Sequence, residues 1–340
     1  MLIFSVIVMP LLLLVTRIIA KKIALVDTPN SRKIHASAIP MIGGVTLFIM
    51  SVSLMIMSIT LSTFHLYLVI AAGLVVLVGL LDDMFQLSAM WRFIIQILAG
   101  FVVIYFTQVK LDSFGYLLYP GWNLDLGELA IPVTLFGVVG VINALNMSDG
   151  IDGLAAMTFF LPVAMLAWMA GEDDLSIWLM MLLICVLIFV IFNKSSKYKI
   201  FLGDNGSMFL GFILAWLLVY YSQKPQIATG MMLIKPVTAL YLVALPVFDT
   251  IFVMLTRIKR GISPFKPDKS HLHHLFLVYG FSQSKTLLTI ILLQAVLISL
   301  GVLMLYTGIT EYIQFYGFVL LSIVYYMLMQ RNWQTINNKV

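Results

Sequence analysis

Residues 175–192 have the sequence LSIWLMMLLICVLIFVIF, which contains no charged side chain. A helix of about 20 mostly apolar residues is long enough to cross the hydrocarbon core of a bilayer, so this stretch predicts a transmembrane helix. The rest of the chain has the same character, because 62% of its 340 residues are hydrophobic and 10% are charged. A soluble domain has about 25% charged residues. The sequence therefore predicts an integral membrane protein.

Similar apolar runs occur eleven times along the chain, separated by charged or turn-rich breaks. They cover residues 2–20, 40–60, 65–81, 91–108, 129–145, 154–171, 175–192, 206–222, 231–256, 285–307 and 310–330. No soluble-domain linker or internal repeat interrupts them. The predicted fold is an all-α polytopic bundle of about 11 transmembrane helices that forms a single domain over residues 1–340.

The loops between these spans alternate between two sets that differ in their content of Lys and Arg. One set, which includes the C-terminal tail, holds sixteen of the 20 basic residues, the other holds Lys110, Lys224 and Lys235, and Arg17 lies near the inner end of the first span. Cytoplasmic loops of membrane proteins are enriched in Lys and Arg. We therefore expect a periplasmic N-terminus, a cytoplasmic C-terminus and cytoplasmic loops at 21–39, 82–90, 143–153, 193–205 and 257–284.

Two of these loops contain carboxylates next to a span. Asp82 and Asp83 follow the third span directly, and two adjacent carboxylates repel each other unless a proton or a cation intervenes. Asp204 opens the eighth span within the sequence FLGDNGS, where the helix N-terminus attracts anions and a carboxylate could hold a divalent cation that bridges to phosphate. Helix capping is the alternative for all three residues.

A third loop combines acids with amides. In the sequence NALNMSDGIDG of residues 143–153, Asn146, Asp149 and Asp152 offer oxygen ligands for a cation or acceptors for a nucleobase. Gly150 and Gly153 allow the backbone to turn tightly and to approach a ligand. A simple break between two helices would use the same residue types, so that interpretation stays open.

Basic and imidazole side chains gather in the last of these loops. It contains Arg257, Arg260, His271, His273 and His274, and these groups could donate hydrogen bonds to phosphate. A zinc site built from the histidines is less favoured, because the sequence offers no matching set of further ligands.

Three other ionisable residues lie outside these clusters. Lys33 and His35 add a second basic loop, which could bind a substrate phosphate or simply attract lipid head groups. Asp249 lies within the ninth span, where an ionisable residue is a functional candidate, although it could also pair with Arg257 or Arg260.

Together these groups indicate phosphoryl transfer to or from a lipid, because that chemistry needs positioned phosphates and the neutralisation of developing charge by cations. An ion-coupled transporter fits less well, since transporter sites lie near the midplane of the membrane and nearly all of these acids lie at span ends. No nucleic-acid partner is expected.

Five segments in this order resemble the polyprenyl-phosphate N-acetylhexosamine-1-phosphate transferases. They are HASAIPMIGG (35–44), LDDMFQLS (81–88), NALNMSDGIDGL (143–154), FLGDNGSMFLG (201–211) and SPFKPDKSHLHHL (263–275). The resemblance implies transfer of GlcNAc-1-phosphate from UDP-GlcNAc to undecaprenyl phosphate, with Mg²⁺ or Mn²⁺, on the cytoplasmic face of a bacterial inner membrane. The products would be UMP and undecaprenyl-diphosphate-GlcNAc, which initiates O-antigen or enterobacterial common antigen synthesis.

The resemblance also implies roles for individual residues. The expected metal ligands are Asp204, Asn146 and Asp83. The expected catalytic residues are Asp82, Asp83, His271, His273 and His274. The expected nucleotide and sugar contacts are Asn143, Asp149, Asp152, Arg257 and Arg260. The expected contacts with the lipid phosphate are Lys33 and His35.

Relatives with other substrates remain alternatives. The phospho-MurNAc-pentapeptide transferases typically have three consecutive histidines and a Glu in place of Asp249, whereas Leu272 interrupts the histidines here, and both differences favour the GlcNAc-type branch. The teichoic-acid-initiating relatives share most of the motifs. Direct attack by the lipid phosphate is preferred over an aspartyl-phosphate intermediate, and a homodimer is left open.

Overall fold

The computed structural model describes residues 1–28, 38–57, 62–171, 174–225, 231–264 and 268–338. Within these ranges the chain forms thirteen α-helices and one pair of two-residue strands. The helices are α1 Leu2–Lys22, α2 Gly43–Met57, α3 Thr63–Phe85, α4 Ala89–Thr107, α5 Ala130–Met147, α6 Leu154–Ala170, α7 Asp174–Lys194, α8 Asp204–Gln223, α9 Pro236–Leu242, α10 Ala244–Lys259, α11 Leu272–Val278, α12 Gln283–Tyr306 and α13 Glu311–Asn337. The antiparallel strands are β1 Val26–Asp27 and β2 Ile39–Pro40.

The length and composition of these helices confirm a polytopic all-α membrane protein. Among the described residues, eight helices are long and apolar enough to cross a membrane, and α9 and α10 would form a ninth span that bends by 76°. The shorter apolar helices α2 and α6 lie within two further predicted spans. The full count of about 11 spans and the orientation of the termini stay predictions.

Helix α8 lies at the centre of the bundle. It packs against α2, α3, α5, α6 and α9, and its large side chains Phe209, Phe212 and Trp216 are fully buried. A helix that is apolar on all sides belongs in a protein interior. Helices α1, α4 and α13, in contrast, expose many large apolar side chains, which suits contact with lipid.

A glycine determines how closely α3 approaches the beginning of α8. A Cβ atom at Gly79 would lie 2.4 Å from the Cα atom of Asn205, which is backbone and cannot move aside as a side chain could. Asp83 lies four residues after Gly79 and therefore on the same face of α3. The close approach at Gly79 thus brings the carboxylate of Asp83 to the N-terminus of α8.

The start of α2 is attached to the segment that leads into α8. Backbone N–H groups of Gly43 and Gly44 donate to the carbonyl oxygens of Phe201 and Leu202, each at 3.0 Å. Met41 also forms an isolated bridge with Phe201. These contacts fix the position of Gly203, whose φ of +76° turns the chain into α8.

Candidate active site

Asp83 holds the N-terminus of α8. Its Oδ1 accepts a hydrogen bond from the backbone N–H of Asp204 at 2.9 Å, and its Oδ2 accepts one from the backbone N–H of Asn205 at 3.1 Å. The side-chain amide of Asn205 also donates to Oδ2. Both carboxylate oxygens of Asp83 are therefore engaged in orienting the first turn of α8, which carries Asp204.

Asp204 lies between the ends of α3 and α5. Nδ2 of Asn146 donates to Oδ1 of Asp204 at 2.7 Å and to Oγ of Ser207 at 2.8 Å. The side chain of Asp82 is within hydrogen-bonding reach of Asp204, and Oδ2 of Asp82 accepts a hydrogen bond from Nη1 of Arg92 at 2.8 Å. The structure thus brings together Asp82, Asn146 and Asp204, which are far apart in the chain.

The loop between α5 and α6 adds two more carboxylates. Asp152 forms an ion pair with Lys199. Enclosure by the surrounding protein, followed by the negative charges of Asp204, Asp83 and Asp152, raises the pKa of Asp149 to about 8. Asp149 is nevertheless accessible, because it lines a cavity and does not lie in the packed core. A carboxylate cluster of this kind favours a bound proton or cation.

This cavity, which we call the carboxylate cavity, has a volume of about 670 Å³. Its polar lining includes Asp83, Asn146, Asp149, Asp152, Lys199 and Asp204, together with Asp27, Asn193, Lys269, His274 and Gln283. The volume falls within the range of about 300–1,000 Å³ that is usual for small-molecule sites.

A second cavity of about 320 Å³, the arginine cavity, adjoins it. It is lined by polar residues that include Arg92, Asn143, Arg257, Asp268, His271 and His273, and by the apolar Ala89, Phe93 and Met147. Asn146, Gly150, Asp204 and His274 line both cavities. The two cavities therefore meet at Asp204.

Asp249 and Arg257 do not form the ion pair that was one sequence-based alternative. Asp249 accepts from Nδ1 of His271 at 2.8 Å, while Arg257 donates to Oδ1 of Asp268 at 3.1 Å and to the carbonyl oxygen of Pro264. Burial opposes ionisation of Asp268, but hydrogen bonds from Arg257 and Ser270 hold the pKa of Asp268 below its usual value.

His273 is the most enclosed of the three histidines beside the arginine cavity. Burial, and then the charges of His274 and His271, lower the pKa of His273 to about 3, so its ring is neutral at physiological pH. Its Nε2 is buried and has no hydrogen-bond partner among the described residues. A Cβ atom at Gly150 would lie 2.1 Å from this nitrogen, so the glycine is needed for the ring to fit.

Not all predicted site residues reach these cavities. Asp82 is buried and lines neither cavity, although it contacts Arg92, which lines the arginine cavity. Arg260 is exposed at the end of α10 and also lines neither cavity, and Lys33 and His35 lie outside the described residues. Conversely, sequence reasoning gave no site role to Arg92, Lys199 or Asp268, all of which line a cavity. The sequence signal for Arg92 and Lys199 was their place at the start of a span or in a predicted cytoplasmic loop, and Asp268 also lies in the segment 263–275 that carries the family resemblance.

The donor groups around Asp204 are chemically suited to Mg²⁺. Carboxylate oxygens of Asp204 and Asp82 and the amide oxygen of Asn146 are hard ligands of the kind that Mg²⁺ prefers. In the part of the chain that the structure describes, no three His, Cys, Asp or Glu side chains are arranged to hold a metal ion by themselves. A Mg²⁺ ion is usually held by one or two carboxylates together with water and substrate phosphates.

Comparison with known proteins identifies the family of this chain. Residues 65–222 match the model of glycosyl transferase family 4. The chain is also 36% identical over 332 residues to the undecaprenyl-phosphate alpha-N-acetylglucosaminyl 1-phosphate transferase of Escherichia coli (strain K12), covering 95% of this chain and 89% of that protein. The chain belongs to glycosyl transferase family 4.

Other relatives carry the same name. The Yersinia pestis protein is 36% identical over 330 residues, covering 95% of this chain and 88% of its own length. The Haemophilus influenzae protein is 33% identical over 333 residues, covering 95% and 92%. The region that matches the glycosyl transferase family 4 model contains the carboxylates from Asp82 to Asp204, and the histidines at 271–274 follow it.

Proposed function

We propose that this protein transfers GlcNAc-1-phosphate from UDP-GlcNAc to undecaprenyl phosphate on the cytoplasmic face of a bacterial inner membrane, in the initiation of O-antigen or enterobacterial common antigen synthesis. The observation that carries the proposal is the meeting of two cavities at Asp204, one lined by carboxylates and the other by arginines and histidines. The relatives named as undecaprenyl-phosphate alpha-N-acetylglucosaminyl 1-phosphate transferases support the choice of substrates.

The two cavities suit different substrates. We assign UDP-GlcNAc to the larger carboxylate cavity, where Asp152 would recognise the uracil and Lys199 holds Asp152 in place. We assign the acceptor phosphate to the arginine cavity, because Arg92 and Arg257 supply positive charge beside the apolar Ala89 and Phe93. The Nε atoms of both arginines are buried without a partner among the described residues, which suits an anionic ligand.

A divalent cation, Mg²⁺ or Mn²⁺, would be held by Asp204 and Asn146, with Asp82 beside them. Nδ2 of Asn146 already donates to Asp204 and Ser207, so its amide oxygen is the group that remains for a cation. The ion would supply neutralisation of the charge that develops on the diphosphate.

We infer a direct attack. An oxygen of the lipid phosphate bonds to the β-phosphorus of UDP-GlcNAc while the bond from that phosphorus to the bridging oxygen breaks, and UMP leaves with the bridging oxygen. Asp82 would orient the attacking phosphate through Arg92, which donates to Asp82 and lines the arginine cavity. Asp83 is a poor nucleophile for a two-step route, since both of its oxygens accept hydrogen bonds from the first turn of α8. A burst of UMP in the absence of lipid acceptor would contradict the direct route.

The test is UMP release by the purified full-length protein in detergent, with Mg²⁺ and undecaprenyl phosphate. UDP-GlcNAc, UDP-GalNAc and UDP-MurNAc-pentapeptide are compared as donors. We expect release with UDP-GlcNAc that depends on the acceptor. Release only with UDP-MurNAc-pentapeptide would assign the peptidoglycan branch instead, and no release with any donor would reject the transferase function.

A further inference from the structure

The C-terminal helix α13 is attached to the segment that carries the histidines, which we call the histidine segment and define as residues 268–279. The indole N–H of Trp333 donates to the carbonyl oxygen of Ser270 at 3.0 Å, and the hydroxyl of Tyr279 donates to Oδ1 of Asn332 at 2.7 Å. Closer to the site, the hydroxyl of Tyr325 donates to Oδ1 of Asp249 at 2.8 Å. Helix α13 thus contacts the histidine segment and Asp249, although none of its residues lines either of the two cavities.

Asp249 links Tyr325 to His271. Its Oδ1 accepts from the hydroxyl of Tyr325 and from the backbone N–H of Leu272, and its Oδ2 contacts Nδ1 of His271 at 2.8 Å. Asp249 and His271 are both buried, with 7% and 6% of their surface exposed. An ionised carboxylate only accepts hydrogen bonds, so Nδ1 of His271 carries the hydrogen and Nε2 is the nitrogen left for a ligand in the arginine cavity.

The ring of Tyr325 is itself fixed by packing. Its centroid lies 5.9 Å from that of Phe248 and 6.5 Å from that of Phe252, both on α10, the helix that carries Asp249. These contacts orient the hydroxyl towards the carboxylate. Without that hydroxyl, Oδ1 of Asp249 would keep one donor, and the carboxylate could rotate away from His271.

We propose that Tyr325 is a positioning residue for substrate binding, which acts by locking Asp249 and thereby the orientation and tautomer of the His271 ring. The inference rests on the proposed function, because it takes the diphosphate of UDP-GlcNAc as the ligand of His271. That diphosphate would extend from the carboxylate cavity past Asp204, where the two cavities meet, to the side of the arginine cavity that His271 lines. Supports of this kind, in which a carboxylate fixes a histidine that binds a ligand, commonly affect affinity about 10-fold or more when they are removed from metal sites.

The experiment is a double-mutant cycle on UDP-GlcNAc affinity. It measures the dissociation constant for the purified full-length protein in detergent with Mg²⁺, for the wild type, Tyr325→Phe, His271→Gln and the double variant. Binding is measured because it does not require a variant to be active. We expect each single change to weaken binding by about 10-fold or more, as for the loss of a hydrogen bond to a charged group. The double variant should bind within about 2-fold of His271→Gln, because coupled residues give non-additive effects.

Tyr326→Phe is the matched control. Tyr326 is the next residue of α13, and its hydroxyl accepts a hydrogen bond from the exposed Lys259 on the protein surface. Loss of this hydroxyl should change the affinity for UDP-GlcNAc by less than about 2-fold, as is usual for exposed polar contacts.

The outcomes separate the two proposals. A wild-type protein that binds no UDP-GlcNAc overturns the proposed function and, with it, this role of Tyr325. If the wild type binds but Tyr325→Phe or His271→Gln binds equally well, the positioning role is rejected while the proposed function stands. Independent effects in the double variant, equal to the product of the single ones, would show that Tyr325 serves only the packing of α13 and would also reject the role.

Discussion

Carboxylates at the two ends of the helical bundle have different surroundings. At the end formed by residues 109–128 and the start of α13, Asp112 pairs with Lys110, and Glu311 pairs with Lys235 at 3.4 Å. At the other end, Asp82, Asp83 and Asp149 surround Asp204. Asp112 is exposed, and an exposed pair contributes about 0–1 kcal/mol, whereas clustered carboxylates repel one another. The comparison is the basis of our hypothesis that the cluster around Asp204 binds a ligand.

The strongest test of this comparison removes one charge from each end. Asp204→Asn should reduce UMP release by about 100-fold or more, because charge neutralisation in phosphoryl transfer is worth several kcal/mol. It should also raise the Mg²⁺ concentration needed for half-maximal activity. Asp112→Asn, at the opposite end, should change the rate by less than about 2-fold. Equal losses in the two variants would contradict the assignment of the site.

A second test concerns the close approach that brings the cluster together. Gly79→Ala should lower the melting temperature, because the new Cβ atom would lie 2.4 Å from the backbone of Asn205, and overpacking costs about 1–3 kcal/mol. Gly140→Ala is the control, since a Cβ atom there meets nothing within 4 Å. An alanine is otherwise favoured over glycine within a helix by about 0.5–1 kcal/mol, so Gly140→Ala should leave the melting temperature unchanged or raise it. Thermal unfolding in detergent measures both, and equal shifts would argue against a tight contact at Gly79.

A third test concerns the substrates that we assign to the two cavities. Arg92→Gln should raise the KM for undecaprenyl phosphate by about 10-fold, since a charge-assisted hydrogen bond is worth about 1.5–3 kcal/mol, and should leave the KM for UDP-GlcNAc nearly unchanged. Lys110→Gln removes the cation of the exposed pair at the opposite end and should alter neither constant. If only the KM for UDP-GlcNAc rose, our assignment would be reversed: UDP-GlcNAc would occupy the arginine cavity and undecaprenyl phosphate the carboxylate cavity.

Most of the groups in the site could be identified from the sequence, but their contacts could not. Asp82, Asn146 and Asp204 were predicted because acids and amides between apolar runs are conspicuous. The capping role of Asp83 was not predictable, because it depends on the approach of α3 to α8 at Gly79, and these segments are more than 100 residues apart. The pairing of Asp249 with His271 could not be predicted either, because it depends on contacts between segments that are separate in the sequence. Arg257 instead donates to Asp268, which the fold brings beside it.

The sequence alone determined that the chain is a helical membrane protein with acids and histidines at span ends, because apolar runs and their charged breaks are local properties of the chain. Only the tertiary structure decided that Asp204 lies where two cavities meet, that Arg92 contacts Asp82 and that Tyr325 of α13 contacts Asp249. These are contacts between distant segments, and they follow from how the helices pack around α8, which no local pattern encodes.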